Sequence, residues 1–221
     1  MLDTTSYFEI IKKLPPEVTL VAVSKTKPIA DILSIYQCGQ RIFGENKVQE
    51  LCDKYEELPK DIEWHLIGHL QTNKVKYIAP FVSLIHGVDS FKLLQEINKQ
   101  ALKNNRIIPC LLQIYIAKEE TKFGLDANEA EYLLKSKDFT ELKNIHIVGL
   151  MGMATFTEDK SIISTEFSFL HQLFHKFKNE MTLPNCQMTT LSMGMSNDYE
   201  IALTCGSNMI RVGSSIFGSR S

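Results

Sequence analysis

A lysine that directly follows an apolar run is the first residue of this chain that could do chemistry. Lys25 ends the stretch Leu20-Val21-Ala22-Val23-Ser24-Lys25. A lysine at the point where a buried strand leaves the core is partly desolvated, so its amine loses a proton more easily. Such an amine can attack a carbonyl compound and form an imine. The alternative is a solvated lysine that only ends a strand, and the rest of the chain must decide between the two.

Two segments rich in glycine and serine near the end of the chain are candidates for binding a phosphate group. They are residues 192–197 (SMGMSN) and 211–215 (RVGSS). Glycines let backbone N–H groups approach phosphate oxygens, and serine hydroxyls donate further hydrogen bonds. A helix that begins at Ser196 or Asn197, with Glu200 as its capping partner, would point its positive end at the anion. Each segment by itself is equally consistent with a tight turn.

The elements that must position these residues alternate between strand-like and helix-like patterns along the chain. Strands are predicted at residues 21–25, 41–44, 64–68, 83–86, 110–116, 146–150, 189–193 and 209–212, with helical periodicity between them. A helix over about residues 5–14 precedes the first strand. This pattern predicts an α/β fold, a (β/α)₈ TIM barrel with an extra N-terminal helix, as a single domain over residues 1–221. An open doubly wound sheet is the alternative, and the lack of a G-x-G-x-x-G after the first strand disfavours it.

In a (β/α)₈ barrel the ends of the strands meet at one mouth, so the predicted strand ends predict which side chains share a site. They are Lys25, Glu45, Asn46, His69, Asp89 and residues 118–124, 151–155, 192–197 and 213–215. An imine-forming lysine and a phosphate site at one mouth leave two chemistries open, a Schiff-base aldolase for sugar phosphates and a pyridoxal 5′-phosphate site. The position of Lys25 after strand one favours the second, because class I aldolases usually carry their lysine near strand six.

Composition excludes several other classes of function. A net charge of −2 and no arginine-rich run predict no strong attraction to nucleic acid or to anionic membranes. Five widely spaced cysteines predict reduced core residues rather than disulfides or a zinc knuckle. No secretory signal or membrane-spanning run is apparent, which predicts a cytoplasmic protein.

The histidines predict no metal site. His171 and His175 lie four residues apart but lack a third ligand nearby in the sequence. His65 is expected to be a core histidine, and His69 to reach the barrel mouth.

Six segments, in order along nearly the whole chain, carry a family resemblance. They are residues 22–28 (AVSKTKP), 43–46 (FGEN), 64–74 (WHLIGHLQTNK), 149–151 (GLM), 191–196 (LSMGMS) and 211–214 (RVGS). Together they resemble the pyridoxal phosphate homeostasis protein family, also called the YggS/PROSC family. The resemblance implies a barrel similar to the N-terminal domain of alanine racemase, with Lys25 holding pyridoxal 5′-phosphate as an aldimine. It also implies cofactor-binding roles for further residues, namely phosphate binding by Ser192, Gly194, Ser196, Gly213 and Ser214, pocket lining by Asn46 and Met151, and a place beside the pyridine nitrogen for Arg211.

The resemblance and these residues predict a carrier rather than an efficient enzyme. An arginine beside the ring nitrogen keeps that nitrogen unprotonated and makes the ring a weaker electron sink. The sequence ends at Ser221, directly after the eighth unit, so we expect the second domain of alanine racemase to be absent. We therefore expect a monomer that buffers or delivers the cofactor to apo-enzymes, with which it associates transiently, and that has no robust turnover. A fold type III racemase or decarboxylase is the alternative, and a role for Lys74 or Lys122 in transfer is left open.

Overall fold

The structure, a computed structural model, describes residues 2–117 and 123–218, and within them eight parallel strands close into a barrel. Each strand pairs with the next along the chain, and the eighth pairs with the first. The strands are β1 (Thr19–Val23), β2 (Ile42–Glu45), β3 (Glu63–Leu66), β4 (Leu84–Val88), β5 (Ile108–Gln113), β6 (Ile145–Met151), β7 (Cys186–Met195) and β8 (Met209–Val212). The predicted (β/α)₈ barrel is therefore confirmed.

Helices cover the outside of the barrel, and the predicted helix before the first strand is present. The α-helices of the described residues are α1 (Thr5–Lys13), α2 (Ile29–Gln37), α3 (Val48–Glu57), α4 (Val75–Ile78), α5 (Phe91–Lys103), α6 (Ala127–Lys135), α7 (Lys137–Thr140), α8 (Lys160–Glu180), α9 (Tyr199–Thr204) and α10 (Ser214–Phe217). A 3₁₀ turn, Thr72–Lys74, precedes α4. None of these helices is long and apolar enough to cross a membrane.

Two elements near the end of the chain differ from the sequence prediction. β7 continues to Met195 rather than ending at Met193, because its last residues still pair with β8. One predicted phosphate-site residue, Gly194, therefore lies inside the strand instead of in the loop after it, and Ser192 lies within the strand in both cases. The short helix α10 directly after β8 was not predicted, because four residues are too few for a helical periodicity to show.

Side chains of β1 alternate between the inside of the barrel and the helix layer, and Lys25 comes shortly after the end of this strand. Val21 belongs to a small cluster inside the barrel, whereas Ala22 belongs to the larger core between strands and helices. The inward series on β1 thus consists of Val21 and Val23. The strand ends at Val23, and Lys25 lies two residues further on, in the turn after Ser24, where its side chain lines a cavity. A methyl group at Gly44 on the neighbouring strand would lie 2.8 Å from the Val21 side chain, so the close packing of these two strands requires glycine there.

Candidate functional site

A cavity of about 970 Å³ opens at the carboxyl ends of the strands. This volume lies at the upper end of the range of about 300–1,000 Å³ that is usual for small-molecule sites. Six of the nine residues that the sequence predicts as cofactor-binding line it, namely Lys25, Asn46, Ser196, Arg211, Gly213 and Ser214. They come from β1, β2, β7 and β8, which are adjacent because the barrel closes between β8 and β1.

The two predicted phosphate segments meet at one side of this cavity. Gly213 N donates to Ser196 Oγ at 3.2 Å, which joins the end of β8 to the end of β7. Helix α9 begins at Tyr199 rather than at Ser196 or Asn197, because the carboxylate of Asp198 accepts from Met195 N at 2.5 Å and keeps the preceding residues in a turn. The result is a concave wall of hydroxyls and backbone groups, which suits an anion with several acceptor oxygens.

Gly194 shapes this turn without lining the cavity. Its φ is +98°, a conformation that residues with a side chain rarely adopt. A methyl group there would also lie 2.6 Å from the Ala202 Cβ of α9. Gly194 therefore allows β7 to pass close to α9 before the chain turns towards Ser196.

Arg211 lies at the base of the cavity and is 4% exposed. Its Nη1 donates to the carbonyl and the hydroxyl of Ser192, at 2.9 and 2.6 Å, and its Nη2 donates to Gly152 O at 3.1 Å. Burial lowers the pKa of Arg211 to about 10, which still leaves the guanidinium charged at neutral pH. Ser192 is fully buried, so it does not line the cavity. It contacts the cavity-lining Arg211 instead.

A chain of hydrogen bonds continues from Ser192 into the barrel. His86 Nδ1 lies 3.2 Å from Ser192 Oγ, and His86 Nε2 lies 3.0 Å from His65 Nδ1. Because a guanidinium can only donate, Ser192 Oγ accepts from Arg211 and is left with a proton for His86 Nδ1. His86 then carries its own proton on Nε2 and donates it to His65 Nδ1. This assignment gives the Ser192 hydroxyl proton and the His86 Nε2 proton one acceptor each.

Burial keeps both of these histidines neutral. Desolvation lowers the pKa of His65 to about 3, and it lowers the pKa of His86 well below the usual value, with the Arg211 charge acting in the same direction. The sequence predicts His65 only as a core histidine and does not single out His86. The available signal was a histidine in each of two neighbouring apolar strands, but pairing them requires the register of the barrel.

Glu45 and Met151 lie where the sequence does not place them. Glu45 ends β2 but faces helix α3 rather than the mouth, and it is fully buried. Its burial raises the pKa of Glu45 to about 7, although the Lys54 ammonium opposes this shift. Met151 belongs to the cluster inside the barrel, and Met153 lines the cavity in its place.

Lysine and histidine candidates outside the cavity have other contacts. His69 Nδ1 lies 3.1 Å from Asp89 Oδ2, and its ring stacks on Phe123. The Lys74 ammonium lies 5.6 Å from the centre of the Tyr77 ring, away from the cavity lining. Lys122 and the neighbouring residues 118–121 lie outside the described residues.

The histidine pair on α8 forms no metal cluster in the described part of the chain. His171 Nε2 and His175 Nε2 lie 2.9 Å apart and contact each other. Across residues 2–117 and 123–218, no group of three or more histidine, cysteine, aspartate or glutamate side chains is arranged to hold a metal ion.

Comparison with known proteins places the chain in a family. A family profile described as "Alanine racemase, N-terminal domain" matches residues 7–221. The pyridoxal phosphate homeostasis protein of Aquifex aeolicus is 41% identical over 203 residues, which are 91% of this chain and 86% of that protein. The protein of the same name from Synechocystis sp. is 38% identical over 222 residues, and the alignment covers 100% of this chain and 100% of that protein.

Solved structures agree with this placement. PipY of Synechococcus elongatus with pyridoxal phosphate bound has a TM-score of 0.88 and 33% identity, over 97% of this chain and 99% of that one. The same protein without the ligand has a TM-score of 0.91 and 34% identity, over the same fractions of both chains. Alanine racemase from Bartonella henselae is only 17% identical, with a TM-score of 0.74 over 99% of this chain and 60% of that one, and so supports the fold alone.

Proposed function

The chain belongs to the pyridoxal phosphate homeostasis protein family, and on this premise we propose that it holds pyridoxal 5′-phosphate as an aldimine on Lys25 and buffers or delivers it. One observation carries the proposal. The amine of Lys25 and the joined turns at Ser196 and Gly213 line the same cavity, on strands that neighbour one another across the closure of the barrel. A phosphorylated aldehyde needs an amine for its carbonyl and a donor-rich wall for its phosphate, and this cavity offers both.

The residues present fit this ligand. Ser196, Gly213 and Ser214 would hold the phosphate oxygens, with Ser192 and Gly194 fixing the geometry behind them. Asn46 and Arg211 would line the ring, and Met151 would support the floor of the cavity from within the barrel. Lys25 would hold the cofactor through a C=N bond between its nitrogen and the aldehyde carbon, and the carbonyl oxygen would leave as water.

Arg211 supports a carrier role rather than efficient catalysis. When bound, the cofactor supplies an electron sink for bonds at an amino acid α-carbon, and the sink is strongest when the ring nitrogen is protonated. A charged guanidinium has no lone pair to offer and only donates, so it favours an unprotonated nitrogen. In the described part of the cavity wall there is also no tyrosine or histidine that would serve as a second base.

Spectroscopy and chemical trapping test the binding site. The protein mixed with pyridoxal 5′-phosphate should develop the visible absorption band of an imine, and borohydride reduction should fix a mass increment on the peptide that contains Lys25. Lys25→Ala should lose both signals, whereas Lys27→Ala should keep the trapped increment on Lys25. An increment on another lysine in the wild-type protein would refute the assignment.

Two assays separate a carrier from an enzyme. Loaded protein should restore the activity of an apo-enzyme that requires pyridoxal 5′-phosphate, and added amines should speed that release. Proton exchange at the α-carbon of amino acids should stay far below ordinary enzyme turnover, and a rate of about 1 per second or more would refute the carrier proposal. The monomeric state and the cytoplasmic location stay predictions.

A further inference from the structure

Side chains of one helix, α3, are bonded to the backbone on both sides of Lys25. Lys54 Nζ donates to Ser24 O at 2.7 Å, and Thr26 N donates to Glu50 Oε1 at 2.5 Å. Lys54 Nζ and Glu50 Oε1 also pair with each other at 2.7 Å. The residues before and after Lys25 are thus held by one ion pair, while the side chain between them lines the cavity.

Lys54 is buried at a site where a charge is costly. Its side chain is 7% exposed, and its third hydrogen bond goes to Glu45 Oε1 at 2.7 Å. Glu45 Oε1 also accepts from Ser24 Oγ at 2.6 Å, which makes a second link to the residue before Lys25. All three ammonium hydrogens are therefore used. Buried ion pairs of this kind add little net stability. Here the pair of Lys54 and Glu50 connects the backbone at Ser24 and Thr26 to helix α3.

Thr26 adopts a conformation that needs such support. Its φ is +64°, in the left-handed region that is unfavourable for a β-branched residue. Strained backbone of this kind persists only where the surroundings hold it, and it concentrates at functional sites. The carboxylate of Glu50 holds the Thr26 amide, and a backbone hydrogen bond from Lys27 N to Ser24 O closes the turn.

We propose that Glu50 and Lys54 are positioning residues for the Lys25 amine. They hold this amine at a fixed distance from the cavity wall at Ser196 and Ser214, and one phosphorylated aldehyde spans that distance. The inference rests on the proposed function. Neither residue is part of the described cavity lining, so both act through the backbone of Lys25. Binding of the phosphate and capture of the aldehyde are separate contacts, and only the second requires Lys25 to be held.

Two phosphorylated probes separate these contacts. Pyridoxal 5′-phosphate carries the aldehyde, whereas pyridoxine 5′-phosphate carries an alcohol at the same carbon and cannot form the imine. Glu50→Ala should weaken binding of the aldehyde on the order of tenfold, the effect of losing one hydrogen bond to a charged group, and should leave binding of the alcohol unchanged. Glu50→Gln keeps an oxygen for the Thr26 amide and should lose less. Glu57→Ala, at the exposed end of the same helix, is the matched control and should bind both probes like the wild type.

The outcomes decide between this inference and its alternatives. Equal losses for both probes in Glu50→Ala would show a general structural role and overturn the inference, as would no loss for either. If Glu50→Ala does not fold, a loss confined to the aldehyde in Glu50→Gln supports the inference, and its absence overturns it. Failure of the proposed function itself looks different, because the wild-type protein would then bind both probes alike and leave no borohydride-trapped adduct on Lys25.

Discussion

Replacing His65 by glutamine should make the folded protein less sensitive to acid. His65 is buried and neutral, and its pKa is lowered from 6.5 to about 3, whereas in the unfolded chain it is protonated below pH 6.5. The stability that depends on its neutral form is therefore fully present above pH 6.5 and is lost as the pH falls towards 3. Glutamine has no such proton, and its side-chain oxygen still accepts from His86 Nε2.

The size of the effect follows from the two pKa values. Between pH 8 and pH 5 the unfolded His65 side chain takes up a proton that the folded one does not bind. Each pH unit below 6.5 costs 1.36 kcal/mol, so wild type should lose about 2 kcal/mol of unfolding free energy at pH 5 on account of this residue. The variant should lose about 2 kcal/mol less over the same interval. Any loss of packing in the variant is present at both pH values and cancels in the comparison.

Urea unfolding of ligand-free protein at pH 8 and pH 5 measures this difference. Ligand must be removed first, since a ligand that binds only the folded state adds stability of its own. The same change in unfolding free energy between the two pH values in both proteins would refute the reasoning. It would mean that His65 is protonated in the folded barrel, and that the proton order assigned from Arg211 to His65 is wrong.

Three further substitutions test the site from different directions. Glu45→Gln should act in the opposite sense to the histidine variant. Because burial raises the pKa of Glu45 from 4.5 to about 7, ionisation of the buried carboxyl lowers the free energy of unfolding of the wild type as the pH rises through this interval. The variant lacks this loss and should therefore become more stable relative to the wild type at pH 8 in the same urea assay. Ser192→Ala leaves Arg211 without its hydroxyl acceptor, so it should lower the free energy of unfolding by about 1–3 kcal/mol and weaken ligand binding. An unchanged ligand titration would argue against the role assigned to Arg211. Gly194→Ala should destabilise the protein more than Gly39→Ala does, since both glycines have positive φ but a methyl group meets α9 only at Gly194; equal losses by thermal unfolding would remove the steric argument.

Local patterns in the sequence were enough to predict the barrel. Its strands are short apolar runs, and the segments between them carry helical spacing, so neither depends on distant residues for its identification. The predicted strand ends then indicated that Lys25, Asn46 and the last two turns share one mouth of the barrel. The structure brings these residues together around one cavity. Lys54 gave a weaker local signal, because it lies three residues after Leu51 and four before Leu58, on the buried side of its helix.

The sequence by itself thus determined the fold and the neighbourhood of Lys25, whereas the tertiary structure alone decided which polar side chains contact one another. Ser192, His86 and His65 lie on three different strands, and they form one chain of hydrogen bonds only because of the register in which the barrel closes. Glu45 at the end of β2 faces the helices, whereas the next residue, Asn46, lines the cavity. The physical reason is the two-residue period of a strand, in which a shift of one residue turns a side chain from the core to the opposite face, and only pairing with the neighbouring strands settles that phase.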